Sequence, residues 1–226
     1  MYLFIKRFFD ILFSVVALVI LSPLFIVVII LLRLSGEGEV FYFQKRVGLH
    51  NREFDIWKFA TMLKNSPNLG TGEITLRKDP RVTPMGRLLR KTKINELPQI
   101  INVLKGDMSI VGPRPLMTKS FALYSPEVQE RIYQSRHGIT GIGSVIFRDE
   151  EKIISDSNDI QDTYRKIFQY KGEVEMWYQQ HISFYTDFMI IFLTAWYIVA
   201  TSSQLVYKVF PSLPRRAFLA NTVVAG

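Results

Sequence analysis

The sequence predicts an α/β domain, helix-rich with a small β-sheet, held at a membrane by an N-terminal apolar helix and by interfacial amphipathic helices. Three observations predict it. Ile11 to Leu32 is a run of 22 residues without a charge, long enough to cross a hydrocarbon core of about 30 Å. The chain is apolar on average (mean hydropathy +0.14) yet strongly basic, with a net charge of +8 and a pI near 9.6. That pairing suits an anionic membrane surface or a nucleic acid, and the concentration of apolar residues in two blocks favours the membrane. Finally, Val40–Phe43 and Phe54–Phe59 are short aromatic runs bounded by turn residues, while later stretches carry helical periodicity. At 226 residues there is room for one domain with a real core.

Lys6 and Arg7 precede the first apolar block and Arg33 follows it, so the cations set no direction of crossing. Ser22-Pro23 falls at mid-length, where proline removes a helical hydrogen bond and bends the chain. A helix bent there can enter and leave on one face; a straight span containing proline is the alternative. A cleaved signal peptide fits less well, because the run is long and no A-x-A-like site follows it. Ser35 to Glu39 is a glycine-rich exit to water, and the two strands turn at Gly48 to Asn51. Asn65 to Gly72 is a polar loop, expected to be mobile. It lacks the Gly-Lys-Ser/Thr of a P-loop. Asp79 to Thr83 then leads into a basic helix with Arg87, Arg90, Lys91 and Lys93.

The central stretch runs from Ile94 to Pro115. Ile94, Leu97, Ile100, Ile101 and Leu104 recur at spacings of three and four, which predicts a helix. Pro98 is tolerated only in its first turn, so Asn95 falls at or near the N-cap and Glu96 just inside. Lys105-Gly106 ends it, Ile110-Val111 is extended, and Gly112-Pro113-Arg114-Pro115 is a rigid turn presenting one guanidinium. A positive helix end, a carboxylate and several cations in one region suit a phosphate-bearing ligand. Downstream, Ser125-Pro126-Glu127 starts a solvated helix reaching Arg136. Asp149, Glu150 and Glu151 read as a helix start favoured by the dipole rather than a metal site. Asp159 to Tyr185 is helical by pattern. Phe188 to Ala200, 13 residues, is too short to cross a bilayer; it suits the interface or a buried core position. Trp196 and Tyr197 suit the headgroup level, and Lys208, Arg215 and Arg216 suit anionic lipid.

ELPQ and NVLKGDMSIVGPRP, with QKRVGLHNREFDIWKFATM before them and HISFYTDFMIIFLTA near the end, resemble the monotopic phosphoglycosyl transferases, also called bacterial sugar transferases. The resemblance covers nearly the whole chain. It implies a re-entrant helix-break-helix over 1–35, a catalytic domain with interfacial helices over 36–216, and a disordered tail over 217–226. The location implied is the cytoplasmic face of the bacterial inner membrane. The implied reaction moves a phosphosugar from a nucleoside diphosphate sugar, with uridine the expected base, to polyprenyl (undecaprenyl) phosphate, starting exopolysaccharide, O-antigen or other glycan assembly. Mg²⁺ is the implied cofactor. In the family an Asp-Glu pair does the chemistry, its Asp forming a covalent phosphosugar intermediate. Here the pair is Asn95-Glu96; Lys58, Arg90, Arg114 and Arg148 are the candidate diphosphate-binding set, and Glu96 is the candidate metal ligand.

Several positions depart from the family pattern. Ala60 stands for a second cation, His137 for Pro, Ile142 for Trp, Ser144 for Gln, and Asn95 for the attacking Asp. An amide oxygen is neutral and its nitrogen lone pair delocalised, so Asn95 is a poor nucleophile. It is a natural change in a branch that uses Glu96 or another residue, an engineered change, the mark of an inactive relative that binds nucleotide sugar or partners, or simply an N-cap. Each cation also has a bland reading as a salt bridge, Arg114 to Asp107 for example, and Asp107 as a partner of Lys105. With no cysteine, thiol catalysis is excluded, and His50, His137 and His181 show no metal spacing. No nucleic-acid recognition motif is present. Oligomeric state, a homodimer included, is not fixed by the sequence.

Overall fold

The structure, a computed structural model, describes residues 2–66, 79–148, 150–157, 159–199 and 205–215. The expected mobile loop leaves these residues after Ser66, and Asp149 and the tail from Ala217 lie outside them. α1 (Tyr2–Leu34) is helical without interruption, Pro23 included. Proline offers no N–H to the Val19 carbonyl, and the Ser22 hydroxyl donates to that carbonyl at 2.8 Å instead. Asp10, Ser14, Val28 and Leu32 are buried, while much of the remaining apolar surface faces outward. Among the described residues α1 is the one helix long and apolar enough to cross a membrane.

β1 (Phe41–Val47) and β2 (Glu53–Phe59) form an antiparallel hairpin in which Phe41 pairs with Phe59, Tyr42 with Lys58 and Phe43 with Trp57. Side chains alternate along a strand, so Phe41, Phe43, Trp57 and Phe59 share one face while Tyr42, Gln44 and Lys58 share the other. The aromatic face packs on the second half of α1: Phe59 lies 5.3 Å from Phe25 between ring centroids, beside Val28, Leu32 and Leu89. β1 is longer than the four residues expected, and its turn is closed by Leu49–Asn51 with His50 and Asn51 at positive φ.

After α2 (Pro84–Lys91), Ile94–Glu96 form a 3₁₀ turn and α3 (Gln99–Lys105) follows. α3 ends on Gly106 at φ 93, as the Lys-Gly pair predicts, and leads into β3 (Met108–Val111). The short α4 (Thr118–Phe121) and α5 (Pro126–Ile132) precede β4 (His137–Thr140), which pairs in parallel with β3 and has no counterpart in the sequence expectations. Thus, among the described residues, the small sheet is two two-stranded sheets. α6 (Ile142–Ile146), α7 (Glu150–Ser155), α8 (Ile160–Gln180), α9 (Phe184–Val199) and α10 (Leu205–Val209) complete the fold, and α6 to α10 enclose the main apolar core. α9 serves that core with Ile190, Leu193 and Tyr197, yet leaves Phe184, Phe188, Phe192 and Trp196 exposed at a four-residue spacing. The buried-core reading therefore holds for one face, and the other face is an exposed aromatic stripe.

Both ends of α1 rest on this domain. Arg7 donates to the Val103 and Leu104 carbonyls at the end of α3, at 2.6 and 3.1 Å. Asp10 accepts from Ser109 Oγ (2.7 Å) and the Ile110 N–H (3.0 Å) on β3. Lys6 and Tyr2 reach Asp187 on α9, which also accepts from the Tyr178 hydroxyl. At the other end Val28 and Leu32 pack against Phe59 and Leu89. The first half is fixed by polar bonds and the second by apolar packing.

Candidate functional site

Lys93 adopts a left-handed conformation (φ 60) that reverses the chain out of the basic helix and into the 3₁₀ turn. Asn95 in that turn is buried, 7% exposed, and its Oδ1 has no hydrogen-bond partner. The N-cap reading of Asn95 is thereby corrected. Pro98, which needs no acceptor for an N–H, takes the position before α3, and no side chain caps that helix. Glu96 accordingly precedes the α-helix instead of standing in its first turn.

Glu96 accepts a fork from Arg114: Nη2 to Oε1 at 2.5 Å and Nη1 to Oε2 at 3.3 Å. Lys58 Nζ, arriving from β2, lies 3.9 Å from Oε1. Burial by itself would raise the Glu96 carboxyl, but Arg114 and then Lys58 outweigh it and hold the group well below its ordinary 4.5. Burial likewise pulls the Lys58 ammonium down to about 7; Glu96 opposes the shift, while Arg46, Arg114 and Arg90 add to it. Arg114 is thus a salt-bridge partner, but of Glu96. Asp107 pairs with Lys105 (3.4 Å) and accepts from Asn102 (3.2 Å), the orienting role foreseen for it.

The loop carrying Arg114 is fixed from below. The Gly112 N–H donates to the Thr140 carbonyl and the Gly138 N–H to the Pro113 carbonyl, both at 2.9 Å. A Cβ on Gly112 would stand 2.3 Å from the Arg136 carbonyl, so only glycine lets the two backbones approach this closely. Beneath the loop lies Glu175 of α8, buried, with the backbone N–H dipoles of Gly143 and Arg114 favouring its charged form. Its Oε1 fills the space a Gly143 side chain would need, 2.5 Å from that Cβ position, and its Oε2 has no partner. Burial raises this carboxyl from 4.5 to about 7 despite the two N–H groups and Lys171. Lys171 pairs with Glu150 at 2.7 Å, its ammonium 4.8 Å from the centre of the Phe168 ring. Glu150 is therefore an ion-pair partner at a helix start. Among the described residues no three His, Cys, Asp or Glu side chains cluster as a metal site.

Lys58, Arg90, Asn95, Glu96, Arg114 and Arg148 all line one cleft of about 1990 Å³. The structure brings the entire nominated set together. Ala60 and Ser144, two of the departures, line the same cleft. His137 does not; it is fully buried with both ring nitrogens unpartnered, 4.4 Å from the Tyr133 ring, and burial lowers it to about 3. Residues not singled out from the sequence are Arg46, Lys171 and Glu175, which line the cleft from a strand and a long polar helix. Arg46 is fixed by Gln44 Oε1 at 2.5 Å. The Glu96 carboxylate and the orphaned Asn95 Oδ1 are hard oxygens that fit Mg²⁺, an ion that takes one or two protein oxygens and completes its shell with phosphate and water.

Comparison with known proteins identifies the family. A family model described as bacterial sugar transferase matches residues 1–201. The chain is 38% identical over 195 residues to the UDP-N-acetylgalactosamine-undecaprenyl-phosphate N-acetylgalactosaminephosphotransferase of Aeromonas hydrophila, covering 85% of this chain and 43% of that protein. It is 36% identical over 203 residues to the exopolysaccharide production protein ExoY of Sinorhizobium fredii, covering 84% and 83%. It is 34% identical over 206 residues to the undecaprenyl-phosphate galactose phosphotransferase of Salmonella typhimurium, covering 85% and 40%. The chain spans less than half the length of the Aeromonas and Salmonella relatives and most of ExoY.

Proposed function

Because the chain belongs to the bacterial sugar transferase family, we propose that it moves a phosphosugar from a uridine diphosphate sugar to polyprenyl phosphate. The observation that carries this reading is the Glu96 fork: an ionised carboxylate held by Arg114 and Lys58 in a cleft that Arg90 and Arg148 also line. Arg114 exchanges its carboxylate partner for the donor's diphosphate, to which a planar guanidinium binds in the same forked manner. A nucleophilic oxygen forms a bond to the β-phosphorus, the bond from that phosphorus to the bridging oxygen breaks, and the cations stabilise the charge left on the departing UMP. An oxygen of the lipid phosphate then bonds to the same phosphorus and displaces that nucleophilic oxygen, so the products are UMP and a polyprenyl diphosphate sugar. Glu96 and Asn95 Oδ1 are the residues that would hold Mg²⁺, which would supply further charge neutralisation on the diphosphate.

The seating of α1 supports a re-entrant topology. A folded domain lies on one side of a bilayer, and both the Arg7–Asp10 and the Val28–Leu32 ends of α1 contact that domain. Both ends then belong to the cytoplasmic face, where a nucleotide sugar is available. The test of function is incubation of the membrane-reconstituted protein with undecaprenyl phosphate and a panel of UDP-sugars. UMP release with one donor, dependent on the lipid, is the expected result. Binding of UDP-sugars without UMP release from any of them would overturn it.

A further inference from the structure

The cleft is not uniform in charge. Lys58 feels the charges of Glu96, Arg46, Arg114 and Arg90, whereas Arg114 feels those of Glu96 and Glu150. The charged groups therefore run from Arg90 through Lys58, Glu96 and Arg114 to Glu150 and its partner Lys171. Towards α2 the lining is cationic, with Arg87, Arg90, Lys91 and Lys93. Beyond Arg114 the charge is balanced, because Lys171 Nζ donates to Glu150 Oε1 at 2.8 Å and to Oε2 at 2.7 Å. The same ammonium stands 4.8 Å from the centre of the Phe168 ring and 5.4 Å from that of Phe147. Two rings and two oxygens thus fix Lys171, whose side chain is 11% exposed, while that of Glu150 is 28% exposed. Among the described residues Lys171 is the one side-chain donor to Glu150. A carboxylate oxygen has two acceptor sites, so each Glu150 oxygen keeps one for a ligand in the cleft. A sheltered ion pair carries a desolvation cost that an apolar pair of the same size does not. What it provides here is a carboxylate of fixed orientation on the cleft wall.

We propose that the Glu150–Lys171 pair is a hydroxyl-reading subsite, taking a vicinal diol of the nucleotide sugar whose diphosphate lies at Arg114. The inference rests on the proposed function and adds what recognises the neutral part of the donor. Two adjacent ring hydroxyls donate to the two oxygens of one carboxylate, and such bonds to a charged acceptor are stronger than neutral ones. The pair has no net charge, so it neither repels the nearby diphosphate nor competes with Arg114 for it. A nucleotide sugar carries a diol on each side of its diphosphate, one in the ribose and one in the hexose. Both present the same chemistry to Glu150.

Titration calorimetry on the full chain in nanodiscs, without lipid acceptor, tests this without turnover. The ligands are UDP, 2′-deoxy-UDP, and UDP-glucose and UDP-galactose analogues with methylene in place of the bridging oxygen. Glu150→Gln should weaken binding of the preferred UDP-hexose by about tenfold, as when a charge-assisted hydrogen bond is lost. If the diol is the hexose's, UDP keeps its affinity and the preference between glucose and galactose narrows. If it is the ribose's, UDP weakens as much as the UDP-hexose and 2′-deoxy-UDP does not change. The double variant Glu150→Gln/Lys171→Met removes the pair without stranding an ammonium, and it should show the same loss with the parent's melting temperature. Parental affinity for every ligand in both variants, or equal weakening of all of them with 2′-deoxy-UDP included, would overturn the subsite and leave the pair as a strut between α7 and α8. The expected loss in a protein that never releases UMP would keep the subsite and discard the transferase reading. UMP release with parental donor affinities in Glu150→Gln would do the reverse.

Discussion

Glu96 and Glu175 line the same cleft, and their surroundings drive two identical side chains in opposite directions. Both suffer desolvation. Glu96 stands in a short turn between two cationic side chains, one of them forked onto both its oxygens. Glu175 rises from the middle of a helix and meets two backbone N–H groups, with the nearest cation, Lys171, already paired with Glu150. Partial dipoles do not replace a full charge, so burial wins at Glu175 and loses at Glu96. The cleft thus holds a carboxylate that is ionised at any working pH beside another that titrates near neutrality, a division by environment that commonly separates an acting acid from a supporting one.

The comparison is broken most strongly by removing the ionised member. Glu96→Gln keeps the shape of the turn, loses the charge, and leaves Arg114 and Lys58 without their partner. UMP release should fall by at least about a hundredfold, as when a single charged contact to a transition state is lost. UDP binding should hold or tighten, because the cations no longer choose between carboxylate and diphosphate. Titration calorimetry alongside the UMP assay reads both. Full turnover in Glu96→Gln would move the chemistry away from this turn.

Asn95→Asp sharpens the comparison from the other side by adding a third carboxylate at the position where the family resemblance implies a nucleophile. The side chain does not change size, and its oxygen has no hydrogen-bond partner in the unaltered protein. UMP release should rise on the order of tenfold or more, and intact mass should show protein plus one phosphosugar. If instead the unaltered chain already turns over fully and gains nothing, Glu96 is the acting acid by itself.

The two carboxylates differ as much in legibility as in chemistry. The reversal at Gly106 could be read from the sequence because it depends on neighbours within a few residues, whereas Glu96 and Arg114 were nominated but their pairing, across 18 positions, was not. Lys58 was legible as a cation, but its depressed basicity was not, since that arises from Arg46, Arg90 and Arg114, brought from distant segments. Asn95 was misread as a cap because Pro98 captures the position before α3. β4 escaped notice because its four residues pair with a strand 29 positions earlier, Met108 with His137. Glu175 is the least legible of all. It sits among polar and aromatic residues of α8, and its one external sign is the missing side chain of Gly143, 32 positions away.

Lys58 links the two regions through pH. Its ammonium is lowered to about 7 in the free cleft, and a bound diphosphate favours the charged form, so binding above pH 7 must take up a proton. Affinity for UDP should then weaken as pH rises through 7, by up to about tenfold per unit, and be level below it. Lys58→Arg should flatten that limb, because a guanidinium stays charged. A flat profile in the unaltered protein would mean that Lys58 remains protonated throughout.

The smallest effect on turnover falls on Glu175, and its signature is in stability. The native carboxyl holds its proton up to about 7 while the unfolded one releases it near 4.5, so between those values the native state binds more protons than the unfolded state. Stability must fall as pH rises across that window and level off above it, by about 3 kcal/mol in all, the free energy of a shift of this size. Glu175→Gln resembles the protonated acid: it is neutral, of the same size, and nothing titrates. Its melting temperature should therefore match the parent near pH 5 and exceed it near pH 8 by several degrees, at roughly 2–4 °C per kcal/mol for a domain of this size. Other groups titrate in both proteins, so the difference between their melting curves isolates Glu175. Parallel curves from pH 5 to 8 would show that Glu175 is ionised throughout, and that the cleft holds two carboxylates of the same kind.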